Sequence, residues 1–380
     1  MKKASNEFQI LIKPVGPICN LGCQYCYYLK KKELFPEGEL FRMRPDILEK
    51  YIVEHISASP GEVIFFSWHG GEPTLTGLEF FRKVIYLQRK HKPLGKKIIN
   101  GIQTNGTLIN ENWARFFAKE NFFVGISIDG PEELHNIYRY NKNQESTFEH
   151  TIRGFKLLKK HNVRNQILCV VNAHNVNFPL EVYRFFKKLG AAYISFLPLV
   201  IQQSDSFRGV SDSTVPAEDY GKFLCSVFDE WQAGDIGRIK VQLFEEAAMV
   251  AFGQEHSLCI LKVTCGGVPA LEHNGDLYSC DQFVDKEHFL GNITDTPLID
   301  LLESASQKKF GDQKLSTLPQ FCIKCEVRAM CNGGCQKDRF IITPDGEKGL
   351  NYLCPGVRLF FNHCKPFVTE IRELWCNPNG

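Results

Sequence analysis

Nothing in this chain approaches the ~18–20 consecutive apolar residues that a membrane-spanning helix needs. Its first residues, MKKASNEFQILIKPVG, carry two lysines but only a short apolar run ended by Lys13 and Pro14, so no secretory signal peptide is expected. Net charge is also nearly absent. Forty-five Lys and Arg against 43 Asp and Glu give +2, so no global field draws the protein to nucleic acid. Low-complexity tracts and solenoid repeats are missing. With 43% apolar and 23% charged residues the composition is globular, and the cytoplasm is the expected location. At 380 residues the chain has room for a large α/β domain and a smaller one.

Cysteine, by contrast, is in surplus, with fifteen in all. In a small secreted domain they would be disulfides; in a large chain without a signal they read as metal ligands. Three sit near the start, Cys169 and Cys225 stand alone in the middle, and ten fall between Cys259 and Cys376. That distribution implies two regions with two kinds of site.

The first half alternates strand-like and helix-like stretches. FQILIKPVG reads as a strand, and RPDILEKYIVEHISAS places Ile47, Leu48, Tyr51, Ile52, His55 and Ile56 on one helical face. EVIFFSWHGGEP, KKIINGIQTNG, FFVGISIDGP, NQILCVVNAHN and AAYISFLPLV read as further strands, each separated from the next by a helical stretch. About six β-α repeats result. Continuous apolar strands imply a parallel sheet buried on both faces, hence a partial (β/α)6 barrel, with an open doubly wound sheet as the competitor. HGGEP, QTNG and SIDG, like the first cysteine loop, lie just past strand C-terminal ends, where parallel α/β folds place their sites. QQSDSFRGVSDSTVP reads as a polar loop, AEDYGKFLCSVFDEWQAG as a helix, and a cysteine-rich region follows. The expected division is a barrel over 1–235 and a second domain with a C-terminal helix over 236–380.

Cys19, Cys23 and Cys26 have the spacing C-x3-C-x2-C. Thiolates suit zinc or an iron–sulfur cluster. Zinc would need a distant fourth ligand, whereas a four-iron cluster on three thiolates keeps one iron open. This loop, with Tyr25 before its last cysteine, and the Gly70-Gly71-Glu72-Pro73 segment together resemble the radical S-adenosylmethionine (SAM) superfamily over roughly residues 8–200. The resemblance implies a [4Fe-4S] cluster on the three cysteines and SAM on its open iron. It implies SAM contacts at Gly70, Gly71 and Glu72, at Ser127 (ribose) and Arg139 (carboxylate), and at Tyr25 and Leu197 (adenine). Taken singly, Ser127 also reads as a turn residue, Arg139 as a surface cation, and Glu72 as a residue that orders its loop.

Cys259, Cys265 and Cys280 are spaced C-x5-C-x14-C; Cys322, Cys325, Cys331, Cys335 and Cys354 are spaced C-x2-C-x5-C-x3-C-x18-C. Eight thiolates would fill two closed sites, either zinc ribbons or clusters. Beside the first half, the region resembles the SPASM domain and its two auxiliary [4Fe-4S] clusters. That resemblance implies Cys259, Cys265, Cys280 and Cys335 on one, and Cys322, Cys325, Cys331 and Cys354 on the other. Cys169 and Cys225 read as core, and Cys364 and Cys376 receive no role.

CNLGCQYCYY, HGGEPTLTGLEFF, QTNGTLI, VGISIDGP and GDLYSCDQFV followed by LGNI carry a resemblance to the anaerobic sulfatase-maturating enzymes. The implied activity is oxidation of a Cys or Ser in a sulfatase C/S-x-P-x-R motif to Cα-formylglycine. A 5′-deoxyadenosyl radical would abstract hydrogen from Cβ. Asp281, directly after Cys280, matches the family's catalytic aspartate; Asp276, in an NGD turn, is a weaker candidate. An unfolded or nascent sulfatase is the implied substrate and a flavodoxin or ferredoxin the implied electron donor. Another SPASM-type peptide maturase, making a thioether or other crosslink, is the alternative.

Overall fold

The computed structural model describes residues 2–203 and 209–376. In chain order the elements are β1 (Leu11–Lys13), α1 (Pro45–Ala58), β2 (Val63–Trp68), α2 (Leu78–His91), β3 (Lys97–Thr104), α3 (Glu111–Lys119), β4 (Phe123–Ser127), α4 (Glu132–His135), α5 (Phe148–Lys160) and β5 (Arg164–Val171). There follow α6 (Pro179–Leu189), β6 (Tyr193–Pro198), α7 (Ala217–Gly234), β7 (Lys240–Val241), α8 (Gln242–Met249), β8 (Ala270–Glu272), β9 (Asp276–Tyr278) and β10 (Phe289–Asn292). The chain ends with α9 (Leu298–Leu302), α10 (Ala305–Ser316), α11 (Gln320–Ile323), α12 (Arg328–Cys331), β11 (Ile341–Ile342), β12 (Lys348–Leu350) and α13 (Cys354–Cys376). Part of the predicted polar loop, 204–208, lies outside the described residues, as does the Cys376 side chain. Among the described residues no helix is long and apolar enough to cross a membrane.

The chain condenses into two compact units: 1–127 with 136–165 and 266–311, and 128–135 with 166–265 and 312–380. In the first, β1, β2, β3 and β4 lie side by side in chain order and parallel, with Leu11 opposite Ser67, Val63 opposite Lys97 and Gly101 opposite Phe123. A doubly wound sheet reverses its strand order at a switch point. These four strands do not reverse, which removes that alternative for them. On the other side of β1, β8 pairs in parallel, and β9 and β10 continue antiparallel.

The predicted face of α1 is the buried one: Ile47, Leu48, Tyr51, Ile52, His55 and Ile56 are all enclosed. The expectation of burial on both faces fails for β2. Ile64, Phe66 and Trp68 are buried, but Phe65 between them is 45% exposed. Successive side chains of a strand point to opposite faces, and the packed face is the one α1 covers, where Phe66 meets the rings of His55 (4.4 Å) and Tyr51 (5.8 Å).

The strand ends carry the loops that matter. The His69 N–H bonds the Ile12 carbonyl (2.7 Å), the Gly71 N–H the Gly16 carbonyl (2.8 Å) and the Glu72 N–H the Ile18 carbonyl (2.9 Å), so the loop after β1 is laid on the loop after β2. Gly70 has φ +112°, and a Cβ on Gly71 would stand 1.9 Å from the Ile18 carbonyl oxygen. No side chain fits there. Glu72 is fully buried. Its carboxylate accepts the Thr74 N–H (3.0 Å), the Thr74 and Thr104 hydroxyls (2.6 and 2.7 Å) and the Asn105 N–H (2.8 Å). One side chain thereby ties the end of β2 to the end of β3.

In the second unit β5, β6 and β7 are parallel, with Ile167 opposite Ile194 and Tyr193 opposite Lys240. The predicted helix AEDYGKFLCSVFDEWQAG is α7. It packs on α13 through aromatic rings, Phe228 lying 6.0 Å from Phe360 and 5.4 Å from Phe367. That packing fixes the helix whose first residue is Cys354. Cys169 is fully buried in β5, as expected of a core thiol, and Cys225 is half-buried on α7.

Two substitutions test the docking of the first cysteine loop. Gly71→Ala forces backbone against backbone and is expected to cost about 1–3 kcal/mol, with iron lost from the Cys19–Cys26 loop first. Glu72→Gln turns an acceptor into a donor facing donors and is expected to cost a similar ~1–3 kcal/mol. Thermal unfolding and iron per chain after anaerobic reconstitution read both.

Candidate functional site

The fourteen described cysteines stand as thiols rather than disulfides. In the first unit, Cys19, Cys23 and Cys26 share the loop after β1. The Cys26 N–H closes a turn onto the Cys23 carbonyl (3.0 Å). The far side of the loop is pinned by the Gly22 N–H on Tyr140 O (2.9 Å) and the Gln24 N–H on Tyr138 O (3.1 Å). The Cys19 sulfur accepts the Leu21 N–H (3.3 Å) and Asn105 Nδ2–H (3.7 Å), and Asn20 bonds both Asn105 and Thr107. Burial pushes the Cys19 thiol up to about 12, and the charges of Glu72, Cys23 and Cys26 push the same way against the Leu21 N–H. Thiols that oppose one another's ionisation become ligands when a cation sits among them. Three soft thiols on one loop closed at Cys23–Cys26 are a donor set that fits an iron–sulfur cluster with one iron left open.

The predicted SAM contacts of the first unit lie in this loop, in the loop after β2, at the end of β4 and in the segment after α4. Tyr25 is buried, with the Arg139 guanidinium 5.4 Å from its ring centroid and the Tyr138 ring at 5.7 Å. Arg139 is itself buried, so the surface-cation reading of it fails. Ser127 ends β4, and its hydroxyl accepts Gln103 Nε2–H at 3.0 Å. An aromatic face, a guanidinium and a hydroxyl are donor types that suit an adenosyl amino acid. The space refused to a side chain at Gly71 is taken by the cysteine loop itself, and the four bonds to Glu72 all come from the protein. Both residues therefore shape the loop. Leu197 lies half-buried on β6 in the second unit.

Asp281 is buried and directly follows Cys280. Its Oδ1 accepts the Lys13 ammonium, and its Oδ2 accepts the Tyr27 hydroxyl and, at 3.4 Å, Gln282 Nε2–H. Lys13 is fully buried, points its Nζ 4.3 Å from the Tyr28 ring centroid, and also donates to His69 Nδ1 at 3.0 Å. Burial alone would raise the Asp281 pKa, but the Lys13 and His69 charges and the bonds from Lys13 and Tyr27 hold it at about 2. Burial, with the Lys13 cation adding, lowers His69 to about 4, which keeps its Nδ1 an acceptor at neutral pH. The result is an ionised carboxylate, enclosed and oriented, one residue from a cysteine. The backbone just before Cys280 is held by Gln307, whose Nε2 donates to Ser279 O (3.1 Å) and Gly266 O (2.8 Å). Asp276 does something else. It accepts Asn274 Nδ2–H (2.7 Å) and Asn292 Nδ2–H (2.8 Å) and so braces the β8–β9 hairpin and β10.

In the second unit, Cys322 and Cys325 flank the end of α11, Cys331 ends α12 and Cys354 begins α13. Burial pushes the Cys354 thiol up to about 12, and the charges of Cys331, Cys322 and Cys325 add to it, so these four are mutual neighbours. Burial likewise pushes Cys335 up to about 12, with Asp338 and Cys259 adding. Cys265 belongs to the same unit.

Lys13, His69 and Tyr27 were not singled out from the sequence. Lys13 carried a signal, since a lysine closing an apolar strand is almost never buried without a partner. Tyr27 and His69 adjoin the motifs and are told apart from ordinary neighbours only by where Asp281 lies.

A radical SAM superfamily profile matches residues 14–185, and an iron-sulfur cluster-binding domain profile, SPASM, matches 267–326. The serine-type anaerobic sulfatase-maturating enzyme of Bacteroides thetaiotaomicron is 41% identical, over 97% of this chain and 92% of its own. The cysteine-type enzyme of Clostridium perfringens is 34% identical, over 95% and 97%. A solved structure of native anSMEcpe with bound AdoMet and Cp18Cys peptide superposes with TM-score 0.87 at 32% identity, covering 97% of this chain and 99% of that one. The fold is thus the radical SAM partial barrel with a SPASM domain, and the chain belongs to the anaerobic sulfatase-maturating enzyme family of the radical SAM superfamily.

Proposed function

We propose that the protein oxidises a cysteine or serine in a C/S-x-P-x-R motif of a sulfatase polypeptide to Cα-formylglycine. The observation that carries this reading is the buried, ionised Asp281 beside Cys280, held by Lys13 and Tyr27. When bound, SAM and the iron–sulfur clusters supply hydrogen-atom abstraction from the substrate and take up one electron. The ligand sets are those read from the sequence: Cys19, Cys23 and Cys26; Cys259, Cys265, Cys280 and Cys335; and Cys322, Cys325, Cys331 and Cys354. Tyr25, Gly70, Gly71, Glu72, Ser127, Arg139 and Leu197 are the residues that would hold SAM.

The chain's own contribution is proton management. Loss of a hydrogen atom from Cβ makes the neighbouring OH or SH much more acidic, so a weakly basic carboxylate suffices as acceptor. Asp281 takes that proton, Lys13 keeps the carboxylate ionised beforehand, and Tyr27 and Gln282 fix Oδ2. From serine the product is the aldehyde directly; from cysteine it is a thioaldehyde that water hydrolyses. We assign the barrel to 1–235 and the auxiliary-cluster domain to 236–380, an unfolded or nascent sulfatase as substrate, a flavodoxin or ferredoxin as electron donor, and the cytoplasm as location.

The reading is tested anaerobically with reconstituted protein, SAM, a reductant and peptides carrying C-T-P-S-R or S-T-P-S-R. Mass spectrometry is expected to find a hydrazine-trapped aldehyde from one or both peptides. In Asp281→Asn the aldehyde is lost and 5′-deoxyadenosine still forms. Deoxyadenosine from wild type with neither peptide changed overturns the substrate assignment. Lys13→Met leaves Asp281 buried without its cation and is expected to destabilise the fold by about 3–5 kcal/mol. The double variant Lys13→Met/Asp281→Asn should recover much of that in denaturant unfolding, because the two changes remove one interaction.

A further inference from the structure

Two cations are set into the cysteine-rich part of the second unit. Lys314, on α10, is fully buried, and its ammonium donates to the carbonyls of Cys259 (2.8 Å) and Ile260 (2.9 Å). Arg339 is partly buried. Its guanidinium donates to the carbonyls of Lys314 (2.6 Å), Gly333 (2.9 Å), Asn332 (3.0 Å) and Gly334 (3.4 Å).

Three of those acceptors form the connection between Cys331 and Cys335. Asn332, Gly333 and Gly334 have φ of +46°, +73° and +63°, a left-handed run in which the two glycines bear no Cβ penalty. The run brings their three carbonyls onto one guanidinium. Asn332 Nδ2–H also bonds the Leu261 carbonyl (2.8 Å), which ties the same connection to the segment after Cys259.

Every acceptor of both cations is a neutral carbonyl. Among the described residues neither makes an ion pair with a carboxylate; Asp338, next to Arg339 in sequence, is spent on Lys337 at 2.6 Å. A buried charge without a counter-charge is strongly disfavoured. The ionisable groups that act on Lys314 are Cys265, Cys259 and Cys335 together with Arg339. Those that act on Arg339 are Cys322, Cys265, Cys331 and Cys335. The thiols face the cations from both proposed ligand sets.

We infer that Lys314 and Arg339 are the built-in counter-charges of the two auxiliary clusters and set their reduction potentials. This rests on the cluster assignment above. A reduced cluster carries one more negative charge than an oxidised one, so a fixed cation nearby favours the reduced form and makes the cluster a better electron acceptor. Both residues are positioning residues, since they bond backbone next to the ligands rather than substrate.

The test is an EPR-monitored redox titration of the full chain in a Cys19→Ala/Cys23→Ala/Cys26→Ala background, where only the auxiliary clusters give a signal. Lys314→Met and Arg339→Gln each remove one charge. With auxiliary iron intact, the reduced-to-oxidised ratio at fixed potential is expected to fall at least tenfold, a shift of about 59 mV for a one-electron couple. The charge-retaining Lys314→Arg and Arg339→Lys should return most of it, which a purely structural role would not. Unchanged potentials with intact clusters overturn the inference. Loss of auxiliary iron in both neutral variants overturns it too, and makes the pair a scaffold. Zinc in place of iron in the background protein would overturn the cluster assignment itself.

Discussion

The contact of the Ile18 carbonyl with the bare face of Gly71 is the constraint on which the first site depends. The Glu72 N–H takes that carbonyl, and the Gly71 N–H takes its neighbour two residues back. Nothing larger than hydrogen fits between the two backbones. Three cysteines on a loop of their own would be mobile ligands. Laid on the end of β2, and held on the other side by Tyr138 and Tyr140, they become part of the sheet edge. Glu72 completes the arrangement by dividing its carboxylate between its own loop, at Thr74, and the next strand end, at Thr104 and Asn105. Of the two readings the sequence offered for Glu72, the loop-ordering one has four hydrogen bonds behind it.

Charge is the second organising principle. The chain has almost no net charge, yet it buries a Lys–Asp pair and a lysine held by carbonyls, and half-buries an arginine that takes the carbonyls of a cysteine loop. Each of these cations lies against a group named as a candidate in the proposed chemistry. Lys13 keeps Asp281 ionised in surroundings that would otherwise neutralise it. Lys314 and Arg339 sit against the backbone beside the cysteines of the second unit. Burial supplies the low dielectric that makes these fields strong, and the same low dielectric makes each unpartnered group expensive.

Much of this was legible along the chain. The amphipathic face of α1, the alternation of strands and helices, α7 to the residue, and the spacing of eleven candidate ligand cysteines are all local patterns, because helix and strand periods and loop ligand spacings are set within a few residues. The same locality explains the misreading of β2. An apolar run looks the same whether one face or both are covered, and Phe65 is exposed because coverage depends on what packs against each face.

Sequence alone determined the class of chemistry and the cluster-type cysteine loops, and singled out Asp281 as a candidate, since motifs and their order are written in neighbouring residues. Tertiary structure decided what Asp281 is. Its Lys13 partner is 268 residues away, and its other neighbours, His69 and Tyr27, come from two further loops. Whether a carboxylate is a surface turn residue or an enclosed ionised group depends on burial and on a cation at contact distance. Neither exists until the strand ends have been brought to one edge.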